Sequence, residues 1–170
     1  VLLLDSPIIS HLIQKLETSK EKISFVRVDS DHLDNLIKKE EDKISKLSEE
    51  DKEKLKAGFE KVVPKEYSIQ LEAMDSNSAP LIITQPEFMR RMKEMQQTGG
   101  GMFGMGNMPE MYNLVINTNH VLISEILNTS TSKKQGRLIK QSLDLARLSQ
   151  NLLKGEELTA FIKRSFEMVK

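Results

Sequence analysis

Residues 136–169 constrain the fold of this chain most, because they read as two short amphipathic helices in succession. In the first helix Leu138, Leu145 and Leu152 recur every seven residues, a spacing that places them on one face. Gly155 then interrupts the pattern, as a glycine just past a helix end often does. The second helix carries apolar residues at spacings of three and four: Leu158, Phe161, Ile162, Phe166 and Val169.

A hairpin of two such helices leaves apolar surface open, and isolated helices of this length are marginal in water. The open surface can pack on the rest of this chain or on a second copy of the same hairpin. A second copy would close a four-helix bundle across a two-fold axis, and we expect this arrangement. The predicted homodimer interface consists of the apolar positions Leu138, Leu145, Leu148, Leu152, Leu158, Phe161, Ile162 and Phe166.

The composition excludes several classes of protein. At 170 residues the chain fits one large domain or two small ones. Its formal net charge of zero gives no general attraction to nucleic acid or to an anionic membrane. There is no cysteine, so disulfides and thiolate metal sites are absent. No apolar run approaches the roughly 20 residues that span a bilayer.

The N-terminal residues predict a β-α-β unit. Residues 1–4 form a short apolar run typical of a buried strand, Ser6 is suited to cap a helix, and 23–28 read as a second strand. Two parallel strands do not make a sheet that is stable alone. We therefore expect these residues to be the remnant of a longer preceding domain, an expectation that the missing initiator methionine supports.

The rest of the pattern predicts a helix-rich α+β fold with a small sheet. Residues 31–63 are charged and helical, with a capping box of Ser48 and Asp51 between two helices. Thr84 and Glu87 form a second capping box, which opens an amphipathic helix over 86–97. Asn119 is placed to cap a short helix after the last strand. The three strands of the sheet are predicted at 67–71, 80–84 and 112–116.

Methionine is concentrated in one segment: seven of the nine methionines lie between Met89 and Met111. One interpretation is that this face packs on the chain's own sheet. The other is an adaptable binding surface, because methionine is flexible and accommodates irregular apolar partners. A glycine-rich loop follows the helix, and it favours the second interpretation. The predicted surface for contact with other proteins comprises Phe88, Met89, Met92, Met95, Met102 and Phe103.

We find no motif for catalysis, a cofactor or a metal. His11, His32 and His120 are scattered, without metal-ligand spacing. The glycine run at 99–101 lacks the Lys-Ser/Thr of a phosphate-binding loop. One alternative remains, copper(I) capture by thioethers at Met-x-x-Met spacing, namely by Met102, Met105, Met108 and Met111.

Five strings, in order and at similar spacing, resemble the bacterial form, HtpG, of the ninety-kilodalton heat-shock chaperone family. The resemblance covers essentially the whole chain. The strings are Val1-Leu-Leu-Leu-Asp-Ser-Pro-Ile, Ser78-Ala-Pro-Leu-Ile-Ile-Thr, Phe88-Met-Arg-Arg-Met, Asn117-Thr-Asn-His-Val-Leu, and the hairpin from Leu143-Asp-Leu-Ala to Phe166. Two positions depart from the family pattern: Asp75 stands where an arginine is common, and Thr118 where a proline is usual.

The resemblance implies that residues 1–45 are the tail of the middle domain and 46–170 the C-terminal dimerisation domain. In the family this domain pairs through its last two helices, and the helix matching 86–97 contacts client proteins. ATP and Mg²⁺ would be bound by an N-terminal domain outside these residues, so this part is expected not to be an enzyme. The resemblance also implies unfolded or partly folded clients, a cytoplasmic location, and neither nucleic acid nor membrane as partner.

The function predicted is therefore that of the dimerising and client-contacting region of an ATP-dependent chaperone. Two alternatives belong to other classes. One is a purely structural dimerisation scaffold, in which the methionine face is ordinary core. The other is a Met-rich module that associates with a membrane or a metal.

Overall fold

The computed structural model describes residues 9–20, 23, 25, 44–86, 88–91 and 110–169. These residues form a helix-rich α+β fold around a three-stranded sheet, as the sequence predicts. The helices are α1 (Ile9–Ser19), α2 (Glu49–Glu60), α3 (Val121–Asn128), α4 (Ser132–Ser149) and α5 (Gly155–Met168), and the strands are β1 (Tyr67–Glu72), β2 (Leu81–Thr84) and β3 (Tyr112–Asn117). Residues 88–91 are also helical, at the start of the predicted helix over 86–97.

The sheet is mixed, in the order β1-β3-β2. β3 pairs with β1 in parallel, with Ile69 opposite Leu114, and with β2 antiparallel, with Leu81 opposite Ile116. Because β3 has a neighbour on both sides, it is the most buried strand, and Leu114, Val115 and Ile116 are almost inaccessible. All three predicted strands of the sheet are confirmed.

The helices complete one core on this sheet. α2 packs against β1, α4 packs against β2, and α3 contacts both α2 and α4. α2 begins at the predicted cap, where the Ser48 hydroxyl accepts a hydrogen bond from the Asp51 N–H at 3.2 Å. The largest buried side chains of the core include Leu55, Phe59, Ile123, Ile126, Ile139 and Leu143.

A buried polar corner joins β3 to α3. The Asn117 amide nitrogen donates to the Asp75 carbonyl at 2.8 Å, and Asn119 Oδ1 accepts from the Lys46 N–H at 2.9 Å. The Thr118 N–H donates to the Glu72 carbonyl at 2.8 Å, a bond that a proline at this position could not make. The corner is therefore held by hydrogen bonds where the family pattern has proline.

Two predicted helix boundaries and one cap are wrong. α4 begins at Ser132 and not at 136, so that residues 132–135 supply its first turn. α4 ends before Asn151, which takes the left-handed conformation (φ 56°), while the Leu152 N–H closes onto the Arg147 carbonyl at 2.9 Å. Gly155 opens α5. The cap of α3 is His120, whose Nδ1 accepts from the Leu122 N–H, and not the predicted Asn119.

The N-terminal β-α-β prediction is tested mainly at its helix, which is present as α1. Residues 1–4 lie outside the described residues, as does most of 23–28. Of the second predicted strand, Ile23 and Phe25 are described and neither is in a strand. The Phe25 N–H instead donates to Glu17 Oε1 at 2.8 Å.

Candidate functional site at the C-terminal hairpin

Helix α4 carries apolar residues on two different faces. Ile139, Leu143 and Ala146 form the face that packs into the core, and they are 1%, 0% and 7% exposed. Leu145 and Leu148 lie on another face and are 51% and 39% exposed. One helix thus closes the chain's own core and also presents a second apolar surface outward.

Helix α5 is largely open, since among its 14 residues only Phe161 is buried. Ile162 is 45% exposed, Phe166 is 71% exposed, and Val169, which follows the helix, is 86% exposed. The side chains of Phe161, Ile162, Ser165, Phe166 and Val169 line a shallow apolar depression. We call five of the exposed apolar positions of the hairpin the open stripe: Leu145, Leu148, Ile162, Phe166 and Val169.

The eight predicted interface residues therefore fall into three groups. Leu145, Leu148, Ile162 and Phe166 are exposed and belong to the open stripe. Leu138, Leu152 and Leu158 are half-buried, the first two against the core. Phe161 is 7% exposed, covered by its own chain.

Buried ion pairs hold the two helices of the hairpin together. The Asp144 side chain, only 2% exposed, receives Lys140 Nζ at 2.9 Å and the Arg164 guanidinium at 2.6 Å. Arg164 also donates to Gln141 Oε1 at 2.8 Å, and Gln141 Nε2 is 2.8 Å from Ser165 Oγ. Because Arg164 lies on α5 and its partners lie on α4, these contacts fix the angle of α5 against the core.

A second ion pair joins the beginning of α5 to the end of α4. The Arg147 guanidinium donates to both carboxylate oxygens of Glu157, at 3.1 and 2.6 Å. This hydrogen bonding lowers the pKa of Glu157 and raises the pKa of Arg147. Nearby Tyr67 is stacked on Tyr112 with ring centroids 5.2 Å apart, and burial raises the pKa of both phenols.

Sequence patterns could indicate only part of this network. Lys140 and Asp144 have the four-residue spacing of a helical ion pair. Arg164–Asp144 and Arg147–Glu157 join residues 20 and 10 positions apart, so they depend on how the hairpin closes.

The predicted client surface is described at its beginning. Phe88 is 67% exposed, and Met89 is half-buried in the same helical turn. Met92, Met95, Met102 and Phe103 lie outside the described residues.

The described part of the chain gives little support for metal or membrane chemistry. Within it, no group of three His, Cys, Asp or Glu side chains could hold a metal ion. His120 is occupied as a helix cap and His11 is exposed, whereas His32 is not described. Of the candidate copper ligands only Met111 is described, on the surface. Over the same residues no helix is both long and apolar enough to cross a membrane.

No protein-family model matches the chain. Several curated proteins, in contrast, match it. A chaperone protein HtpG of Bacteroides thetaiotaomicron is 33% identical over 237 aligned residues, which take in 99% of this chain and 35% of the relative. The chain belongs to the HtpG chaperone family. An HtpG of Porphyromonas gingivalis is 39% identical over 152 residues, or 87% of this chain and 22% of the relative. A Bacteroides fragilis HtpG is 32% identical and covers 99% of this chain.

The chain spans about a third of the length of the Bacteroides relatives, and it matches a C-terminal part of HtpG. The Bacteroides alignments run over 237 positions, more than the 170 residues of this chain, so those HtpG proteins carry residues in the matched span that have no counterpart here. The hairpin and the sheet described above belong to this part of HtpG.

Proposed function

We propose that this chain is the homodimerising and client-contacting region of an ATP-dependent HtpG chaperone in the cytoplasm. In this proposal residues 46–170 are the dimerisation domain and residues 1–45 the end of the domain before it. The hairpin of α4 and α5 pairs with the hairpin of a second copy, and the helix that starts at residue 88 contacts unfolded or partly folded proteins. ATP binding and hydrolysis belong to other parts of the full-length protein, so the chain itself has no catalytic role.

The observation that carries the proposal is the exposure of α5. A helix of 14 residues with one buried side chain gains little from its own chain, and helices this short are marginal in water. Ile162, Phe166 and Val169 nevertheless remain as exposed apolar residues along it. Burying a side chain of this kind contributes about 1.5 to 3 kcal/mol, so a surface that covers them would stabilise the helix.

The chemistry of the open stripe suits a second copy as its partner. Gln141 on α4 and Ser165 on α5 are half-buried, and their side chains bond to each other at 2.8 Å. The neighbouring charge on Asp144 is directed inward and neutralised by Arg164. The stripe is therefore apolar and free of unpaired charge, as the centre of a dimer interface is. Two helices that form a stripe along a hairpin can pair with their copies as a two-fold bundle.

The client-contact part of the proposal is supported at Phe88. Phe88, at the start of the predicted amphipathic helix, is 67% exposed and so offers apolar surface to another chain. The sequence continues this face with Met92 and Met95 at helical spacing. Flexible methionines fit a site that accepts many different partners.

The dimer is tested by sedimentation velocity of the double variant Leu148→Asp, Phe166→Asp. We expect the wild-type chain to be a dimer at tens of micromolar and the variant a monomer with unchanged helical content. Lys163→Asp, an exposed change on α5 outside the open stripe, is the matched control and leaves the dimer intact. A wild-type chain that sediments as a monomer at these concentrations contradicts the proposal.

Client contact is tested by the Phe88→Ser variant in a light-scattering assay of an aggregating test protein. On our proposal the variant keeps its dimer and its melting temperature but protects the test protein less. A variant that melts early instead supports the scaffold alternative, in which this face is structural core. The matched control is Val121→Ser, because Val121 is 75% exposed on α3, away from the predicted client surface.

A further inference from the structure

Arg91 bonds to two residues that are far from it in sequence, Glu17 at 74 positions and Phe25 at 66 positions. Its NH1 lies 2.8 Å from Glu17 Oε2, and its NH2 donates to Glu17 Oε1 at 3.3 Å and to the Phe25 carbonyl at 3.0 Å. Glu17 Oε1 also accepts the Phe25 N–H at 2.8 Å. We call Glu17, Phe25 and Arg91 the Arg91 junction.

The bonds of this junction reinforce one another. The Glu17 carboxylate accepts hydrogen bonds from the Arg91 guanidinium and from the Phe25 N–H. The Arg91 guanidinium also donates to the Phe25 carbonyl. The hydrogen bonds from Arg91 and from the Phe25 N–H lower the pKa of Glu17. The side chains of Glu17 and Arg91 are 21% and 31% exposed, so the pair is only partly screened by solvent. A lysine could not make the same set, because it lacks the planar fork.

The junction lies between helix α1 and the helical turn at residues 88–91. Glu17 is in the last turns of α1, a helix whose described residues are half-buried or exposed, including Leu12 at 51% exposed. Arg91 is in the helical turn that carries Phe88 and Met89. A movement of α1 that breaks the junction therefore removes these bonds from the turn, and a movement that keeps the junction acts on the turn through them.

We propose that Arg91 is a positioning residue: through Glu17 and the Phe25 backbone it couples α1 to the orientation of the apolar helical face that begins at Phe88. The inference rests on the client-contact function proposed above, and it adds that the segment before the dimerisation domain regulates this face.

The chain contains no tryptophan, so Phe88→Trp introduces a single fluorescent reporter on this face. In this background we expect Glu17→Gln and Arg91→Gln each to lower the fluorescence anisotropy of the tryptophan, and the double change to lower it no further than either alone. Arg91→Lys keeps the charge but loses the fork, and is expected to behave like Arg91→Gln. Lys15→Gln, an exposed change of one charge on the same helix, is the control and has no effect.

The same changes are then made without the reporter, and client protection is measured. Glu17→Gln should reduce protection about threefold while dimer mass and melting temperature stay unchanged, which a purely structural loss would not do. If Glu17→Gln and Arg91→Lys match Lys15→Gln in anisotropy, or if their effects simply add, the inference is wrong. If anisotropy responds as expected but Phe88→Ser leaves protection unchanged, the coupling stands and the client function fails.

Discussion

Helices α2 and α5 have similar lengths but opposite relations to the rest of the chain. α2 has 12 residues and buries Leu55, Gly58 and Phe59, while its exposed face is charged. α5 has 14 residues, buries only Phe161, and exposes Ile162 and Phe166. Helix α2 thus buries its apolar residues within the chain, whereas α5 leaves two large apolar side chains exposed.

The two helices also differ at their first residues, where α2 has a side-chain cap and α5 has none. The cap of α2 is Ser48, which bonds the Asp51 N–H and so satisfies one of the free amide groups of the first turn. α5 follows Lys154, which makes no side-chain cap, and its first residue, Gly155, has a φ of +58°. The placement of α5 instead depends on ion pairs to α4. A helix held by ion pairs on one side and apolar on the other is suited to an interface, whereas a capped and buried helix stabilises a fold.

Among the changes that distinguish α2 from α5, we expect Phe59→Ala to have the largest effect on stability. Phe59 is inaccessible to solvent at the centre of the core, so its truncation leaves a cavity and costs about 3 to 5 kcal/mol of folding free energy. Urea denaturation measures this loss. The loss should be the same in the wild-type background and in the dimer-breaking background Leu148→Asp, Phe166→Asp. A loss that appears only in the dimer would mean that α2, too, is completed by a partner.

Two phenylalanines of α5 give a matched comparison inside one helix. Phe161 is 7% exposed and Phe166 is 71% exposed. Phe161→Ala is expected to destabilise the chain by about 2 to 3 kcal/mol at every protein concentration, because it contacts its own chain. Phe166→Ala is expected to remove the rise of melting temperature with concentration, because a dimer is stabilised by mass action.

Calorimetry over a hundredfold range of concentration distinguishes these outcomes. If both variants shift the melting temperature equally at all concentrations, Phe166 acts within one molecule and the comparison between α2 and α5 loses its basis. If neither variant changes the concentration dependence, the open stripe is not the interface.

The parts of the fold that depend on local patterns could be predicted from the sequence. The three strands follow from short apolar and alternating runs, and the Ser48 cap follows from a three-residue spacing. The end of α4 was not predictable in this way, because an asparagine, Asn151, takes the left-handed conformation after this helix, ahead of Gly155, which also has a positive φ. Both residue types adopt it, and glycine is only the commoner choice.

The sequence predicted which residues of the candidate site are apolar, but not which of them are exposed. Periodicity identifies the residues of a stripe and does not say what covers each one. Phe161 and Ile162 are adjacent in sequence, yet the chain covers the first and leaves the second 45% exposed. The difference comes from the angle of α5, which Asp144 and Arg164 fix across 20 residues of sequence. No local sequence pattern specifies the angle at which α5 packs.

The smallest expected effect concerns the ion pair between Arg147 and Glu157. It is measured as the dependence of the free energy of unfolding on pH. Hydrogen bonds from Arg147 lower the pKa of Glu157 in the folded chain below its ordinary value of 4.5. The unfolded chain therefore binds this proton at higher pH than the folded one, and the stability from the pair is present above pH 4.5 and lost as the pH falls further. The Glu157 side chain is 56% exposed, so the contribution is below about 1 kcal/mol.

Glu157→Gln should accordingly be slightly less stable than wild type at neutral pH, and the two should converge as the pH falls below 4.5. Glu17 also has a lowered pKa, but it is present in both proteins and cancels in the difference. The measurement is urea denaturation across pH at one protein concentration, in the monomeric Leu148→Asp, Phe166→Asp background, so that association does not contribute. A difference that is constant across pH would mean that Arg147 holds α5 by geometry and not by charge. The control is Glu53→Gln, a change of an exposed glutamate on α2, which in the described structure has no such ion pair to a neighbouring helix.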